Sequence, residues 1–110
     1  MQTKEFLSKF GKDVEKMKSE ANPTVTGFGS LFTKTMADGA LNLLQKELIA
    51  LGIAVAKQCV PCITLHVQKS LAAGATREQI IEAAGVAVMM GGGPAYTHIP
   101  VVLDALDGLQ

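Results

Sequence analysis

Apolar residues recur at intervals of three and four along most of this chain, the spacing that places them on one face of a helix. The first such stripe predicts an amphipathic helix over Lys4 to Glu20, whose lysines and carboxylates form a solvated face. Its apolar members are Phe6, Phe10, Val14 and Met17.

Helix-breaking residues follow this first segment. Asn22-Pro23 and the Gly27/Gly29 pair are residue types that punctuate regular structure, so they are expected to end the helical region. A short helix is then expected over Ser30 to Met36.

The middle of the chain carries a longer stripe, and its second half is apolar nearly all round. This pattern predicts a central buried helix from Ala40 to about Lys57. Pro61 suits the first turn of a helix but not its interior, so a new helix is expected to start at Cys59 or Val60 and to reach Gly74. The members of the middle stripe are Leu41, Leu44, Leu48, Leu51 and Val55.

Two further helices are predicted in the last third. Thr76 with Gln79 forms a capping-box pattern that opens one helix, and the glycine triplet 91–93 ends it. A last helix is expected over Pro94 to Leu109, with a kink at Pro100. No segment shows the sustained alternation of a strand. The predicted fold class is therefore all-α, a compact domain of about five or six helices with a C-x-x-C motif at the N-terminus of a central helix.

Composition narrows the protein class. A chain of 110 residues is too short for two independent cores, so residues 1–110 are expected to form a single domain. With 48% hydrophobic and 18% charged residues it is not a disordered sequence, and it has more apolar surface than a small monomer readily hides, which favours a homo-oligomer. Ten basic and ten acidic residues give no net charge, so neither nucleic acid nor an anionic membrane surface is expected as a partner.

The location expected from the sequence is cytoplasmic. The longest apolar runs fall short of the roughly 20 residues that cross a bilayer. The first twenty residues carry mixed charges without an apolar core, unlike a signal peptide. Two cysteines are also too few for the disulfide scaffold of a small secreted domain, so their closeness calls for a chemical explanation.

The candidate chemistry lies in a cluster of thiol, imidazole and carboxyl groups. Cys59 and Cys62 form the C-x-x-C motif, and His66 follows Cys62 by one helical turn on the same face. A helix N-terminus and a nearby imidazole both favour a thiolate over a thiol, and Cys62 gains more from His66 than Cys59 does. Cys59 is then placed to close a disulfide with Cys62.

Glu47 lies in the preceding helix, on a face with small side chains that permits close helix packing. If the chain reverses near residues 57–59, Glu47 lies roughly 15 Å before the turn and His66 roughly 10 Å after it, an offset that the two side chains can bridge. Carboxylate, imidazole and thiol then form a series of orienting group, base and nucleophile.

Other interpretations of these residues stay open. The cysteines are alternatively inert core residues. A zinc site would take Cys59, Cys62 and His66, with Glu47 or His98 as the fourth ligand. Haem attachment is excluded because Ile63, not a histidine, immediately follows Cys62, and a thioredoxin fold is disfavoured by the absence of a βαβ pattern. His98 is expected to serve packing or an interface rather than catalysis.

The spacing Glu47, Cys59-x-x-Cys62, His66, followed by the segments 72–76 and 91–95, resembles the alkylhydroperoxidase D-like (AhpD-like) branch of the carboxymuconolactone decarboxylase family. The resemblance covers roughly Leu41 to Leu109. It implies an all-helical fold, assembly into trimers or hexamers, and cysteine-based peroxidase activity.

By that resemblance the catalytic residues are Cys62, which attacks the hydroperoxide, Cys59, which resolves the sulfenic acid, and His66 with Glu47, which relay the proton. The implied electron donor is a lipoyl or thioredoxin-like protein, and no cofactor or metal is required. Pro61 departs from the pattern, because well-known members can carry a further histidine before the second cysteine. The alternatives are a carboxymuconolactone decarboxylase-like lyase, in a branch that does not use the cysteine pair, and a non-catalytic zinc-binding or assembly module.

Overall fold

Seven helices joined by short connections account for most of residues 2–110, the part of the chain that the computed structural model describes. Six have eleven residues or more and one is a single turn, and the described residues contain no strand, which confirms the all-α class. In chain order they are α1 (Thr3–Glu20), α2 (Asn22–Met36), α3 (Leu43–Ala56), α4 (Val60–Ala72), α5 (Arg77–Gly91), α6 (Gly93–Tyr96) and α7 (Ile99–Leu109).

Side-chain caps fix where three of these helices begin. Thr76 and Gln79 form the predicted capping box at α5, each bonding the other's backbone N–H. An equivalent box between Asn42 and Gln45 starts α3 at Leu43, later than the expected Ala40. Cys59 caps α4, its Sγ accepting a hydrogen bond from a backbone N–H in the first turn, so the predicted start of this helix is confirmed.

The expected break around Gly27 and Gly29 is wrong, because α2 runs through both glycines without interruption. Each glycine costs about 1 kcal/mol in a helix interior, too little to end a helix that packing supports. Val25 and Phe28 lie three residues apart and Phe32 four further on, so the apolar face continues across the glycines. Proline 23 occupies the first turn, where its missing N–H costs no hydrogen bond.

The predicted last helix is divided rather than kinked. α6 ends at Tyr96, and α7 begins at Ile99 with Pro100 in its first turn. A proline at position 100 inside one continuous helix would clash with the carbonyl of residue 96 and leave it without a partner. Beginning a new helix removes that conflict, and His98 Nδ1 donates a hydrogen bond to the carbonyl of Pro94 across the junction.

The buried hydrophobic core of the described residues lies in the second part of the chain. α3 packs most extensively against α4 and α5, which confirms it as the central buried helix, and α7 covers α4. No described residue of α1 or α2 is buried. The buried hydrophobic residues are Leu51, Ala54, Val55, Ile63, Val67, Ala75, Ile80, Ala84, Ala87, Ala95, Val102, Ala105 and Leu106.

The first turn of α1 packs against α7 and so connects the α1–α2 hairpin to this core. Thr3 of α1 lies against Gly108 of α7, where an added Cβ would stand 2.7 Å from the Thr3 Cβ. Glycine at 108 therefore permits the two helices to approach this closely. Within the described residues, no helix is both long enough and apolar enough to cross a membrane.

Candidate functional site

The two cysteines are joined by a disulfide. Cys59 stands at the N-cap of α4 and Cys62 in its first turn, with their Cα atoms 5.2 Å apart. Both residues are partly exposed. The start of α4 thus places the sulfurs at bonding distance without help from distant parts of the fold, and the structure describes the oxidised form of the pair.

Glu47 and His66 meet between α3 and α4, which run antiparallel on either side of the turn at residues 57–59. The Glu47 Oε1 lies 2.7 Å from the His66 Nδ1. Glu47 is only 2% exposed, whereas the His66 side chain is 19% exposed. The carboxylate therefore lies in the interior and the imidazole reaches from it toward the surface.

This contact determines which imidazole nitrogen is free to act. An ionised carboxylate can only accept hydrogen bonds, so the Nδ1–H of His66 donates to Glu47. In the neutral ring, Nε2 then carries the lone pair. A histidine held in this way has a fixed ring orientation and a defined tautomer, which a proton-transfer group requires.

An aromatic side chain from the hairpin covers this histidine. The ring of Phe32 stacks on the His66 imidazole with 6.4 Å between centroids and 26° between planes. The Nζ of Lys69 lies 4.9 Å from the centroid of the same Phe32 ring. Sequence reasoning missed both residues, although Lys69 follows His66 by three positions on the same helical face. No local pattern pointed to Phe32, since it comes from a separate helix.

A groove of about 830 Å³ opens between the hairpin and α4. Cys62 and His66 line it, whereas Cys59 and Glu47 do not. A molecule in the groove would therefore meet the Cys62 sulfur and the His66 ring, with Cys59 and Glu47 as their respective partners. The hairpin wall is apolar and includes Leu7, Phe10, Val14, Met17, Val25, Phe28 and Phe32.

The alternative zinc set is not assembled. Among residues 2–110 there is no group of three or more histidine, cysteine and carboxylate side chains that could hold a metal ion. The two sulfurs are bonded to each other, and the Nδ1 of His98 donates a hydrogen bond to the carbonyl of Pro94.

One family model and two related proteins match most of this chain. A family model, that of the carboxymuconolactone decarboxylase family, matches residues 24–104. Uncharacterized protein 4 in the cox locus of Paracoccus denitrificans is 45% identical over 84 residues, covering 74% of this chain and 76% of its own length. An uncharacterized protein of Cupriavidus necator is 35% identical over 92 residues, covering 83% of this chain and 81% of its own.

Solved structures extend the likeness to nearly the whole chain. An apo carboxymuconolactone decarboxylase family protein of Legionella pneumophila superposes with a TM-score of 0.89 at 39% identity, covering 96% of this chain and 94% of that one. A family member from Thermotoga maritima, described as having a possible involvement in an antioxidative response, gives 0.85 at 25% identity over 96% and 89%. The family match also begins earlier than the resemblance seen from residue 41, since it includes nearly all of α2.

Proposed function

Because the chain belongs to the carboxymuconolactone decarboxylase family, we propose that it is a cysteine-based peroxidase that reduces hydroperoxides through the Cys59/Cys62 pair. One observation carries the proposal. Cys62, one cysteine of a disulfide-forming pair, lines a groove together with His66, whose Nδ1 is hydrogen-bonded to the buried Glu47 carboxylate. This arrangement supplies a nucleophile, a resolving thiol and a proton carrier at one place.

The cycle begins from the reduced pair. His66 Nε2 takes the proton of the Cys62 thiol, and the thiolate attacks the terminal oxygen of the hydroperoxide. The O–O bond breaks, an S–O bond forms, and the departing alkoxide takes the proton from His66 to leave as an alcohol. Cys62 is now a sulfenic acid. Attack by the Cys59 thiol forms the disulfide and releases water.

An external dithiol completes the cycle by reducing the disulfide with two electrons. The chain has no third cysteine to serve as an internal donor, so the donor is another molecule, in our proposal a lipoyl or thioredoxin-like protein. A reducing cytoplasmic compartment supplies such donors.

Glu47 acts through His66 rather than on the peroxide. Its carboxylate favours the imidazolium that forms when His66 takes the thiol proton, because an opposite charge at 2.7 Å stabilises the charged ring. It also holds the ring with Nε2 turned away from α3. Glu47 is therefore the second member of the proposed relay and a positioning residue.

We also propose that the protein works as a homo-oligomer. Besides the hairpin, an apolar face formed by α3 and α5 is open, with a shallow groove of about 420 Å³. Ile53 and Val86 on this face are more than half exposed, and Met90 is 76% exposed. Exposed apolar side chains grouped in this way are typical of subunit contacts.

The test counts thiols before and after peroxide. The protein is first reduced with dithiothreitol, freed of reductant, and then mixed with hydroperoxide. We expect the wild type to lose two thiols much faster than free cysteine does and to regain both with dithiothreitol. The Cys59→Ser variant should still react rapidly and yield a sulfenic acid that a dimedone reagent traps.

Cys62→Ser is the matched variant, because it keeps one thiol on the same turn but removes the one that lines the groove. It should lose its remaining thiol only at the rate of free cysteine. If wild type and Cys62→Ser both react at that slow rate, the peroxidase proposal is wrong. A lyase would leave the thiol count unchanged and convert a lactone, and a zinc module would carry stoichiometric metal that protects both thiols.

A further inference from the structure

We propose that Lys69 selects hydroperoxides that carry a carboxylate on an apolar chain, such as those of fatty acids. The chain of the substrate would lie along the groove between the hairpin and α4, its carboxylate would pair with Lys69, and its hydroperoxide would meet Cys62. The inference rests on the proposed peroxidase function and names the substrate class of the same site.

The charge of the groove favours such a substrate. Among residues 2–110, Lys69 is the only lysine or arginine that lines the groove, and no aspartate or glutamate lines it. The remaining walls are mainly aliphatic and aromatic. An amphiphile with one negative end is therefore complementary to this surface, since its chain meets apolar walls and its carboxylate meets a single cation.

The Lys69 ammonium is held in place without being neutralised. Its Nζ lies over the Phe32 ring at 4.9 Å, an arrangement in which the ring stabilises a cation without supplying a negative charge. None of the ion pairs among residues 2–110 involves Lys69. The positive charge thus remains available to an incoming anion.

The register of α4 sets the separation between Lys69 and Cys62. Cys62, His66 and Lys69 all line the groove and follow one another by four and three residues, so they form one stripe along the helix. At 1.5 Å per residue, Lys69 stands roughly 10 Å along the axis from Cys62. A carboxylate at Lys69 therefore leaves room for an alkyl chain before the reacting oxygen, and a short anion bound there would not reach the sulfur.

The kinetic test compares a fatty-acid hydroperoxide with its methyl ester, which has the same chain without the charge. For the reduced wild type we expect kcat/KM to be about fivefold higher for the acid than for the ester. The difference should lie mainly in KM, because a partly exposed ion pair strengthens binding by about that factor. In Lys69→Gln the acid-to-ester ratio should fall to about one, and in Lys69→Glu below one. Lys16→Gln, which removes an exposed cation outside the groove, should keep the wild-type ratio.

A binding test does not depend on turnover. Calorimetric titration of the oxidised protein with decanoate should show binding that weakens about fivefold in Lys69→Gln and persists in Lys16→Gln. Equal kcat/KM for acid and ester in the wild type, or failure of decanoate to bind because a second copy of the chain covers the groove, would overturn the inference. Thiol loss with hydrogen peroxide would then still support the peroxidase. Lys69-dependent decanoate binding without any peroxide-driven thiol loss would support the carboxylate site and reject the peroxidase.

Discussion

The α1–α2 hairpin and the α3–α7 bundle are both helical, but they differ in how far their apolar side chains are buried. Within the part of the chain that the structure describes, every buried hydrophobic residue lies in the bundle or its connections, and none lies in the hairpin. The bundle holds the Glu47–His66 contact and the disulfide. The hairpin instead places half-exposed apolar side chains opposite them across the groove.

This difference separates two tasks in the proposed enzyme. Proton transfer needs groups held to within a fraction of an ångström, which a close-packed core provides. Enclosing an apolar substrate needs a surface that can adapt, and a lightly packed hairpin provides that. Phe32 joins the two regions, because its ring belongs to the hairpin and stacks on the histidine of the bundle.

The largest expected effect is on stability and tests the contrast directly. Leu51→Ala removes a side chain with no exposed surface from α3 and should lower the free energy of unfolding by about 2–5 kcal/mol. Phe28→Ala truncates a hairpin residue that is 66% exposed and should change it by about 0.5 kcal/mol or less. Urea denaturation of both variants measures the difference. Equal losses would show that the hairpin is as tightly integrated as the core.

Glu47→Gln should affect turnover more than folding. The amide oxygen can still accept the His66 Nδ1–H, so the free energy of unfolding should change by no more than about 1 kcal/mol. The stabilising negative charge is lost, and peroxide turnover should fall about 10- to 100-fold. Glu82→Gln, the same replacement on the exposed surface of α5, should leave both quantities unchanged. Parallel loss of stability and activity would indicate a structural carboxylate instead.

Phe32→Leu tests the link between the regions. It keeps an apolar residue in the hairpin but removes the ring that stacks on His66 and lies under Lys69, contacts worth about 0.5–1.5 kcal/mol each. Peroxide turnover should fall several-fold while urea denaturation shows a smaller change. Leu31→Ala, on the neighbouring position outside the groove, should not reduce turnover. If it reduces turnover as much as Phe32→Leu does, the effect belongs to the helix as a whole.

The smallest expected effect concerns the turn that brings the two halves of the relay together. Gln58 adopts a φ of 57°, a left-handed conformation that glycine accepts without strain. Gln58→Gly should therefore stabilise the protein by up to about 1 kcal/mol, partly offset by the greater freedom of glycine in the unfolded chain. Gln58→Val should be destabilising, because a β-branched residue tolerates this conformation poorly. Thermal denaturation of the two variants should shift in opposite directions.

Several features of the fold followed from short stretches of sequence. The start of α4 at the C-x-x-C motif, the Thr76 cap and the central position of α3 were predicted because caps, prolines and apolar periodicity act within a few residues. The helix through Gly27 and Gly29 and the division before Pro100 were not predicted. In both places the outcome depended on whether packing offset a local preference, and the strength of packing is not visible in a local pattern.

For the candidate site, the sequence by itself determined the C-x-x-C pair and the His66 position one turn above it, since both are set by helical geometry. It also indicated Glu47, because a short turn between two helices nearly fixes which residues face one another. Only the tertiary structure decided that Cys62 rather than Cys59 lines the groove, that Phe32 covers His66 and that Lys69 is the one lysine or arginine among residues 2–110 that lines it. These depend on where the hairpin rests against α4, which is a sum of many weak contacts between residues distant in the chain.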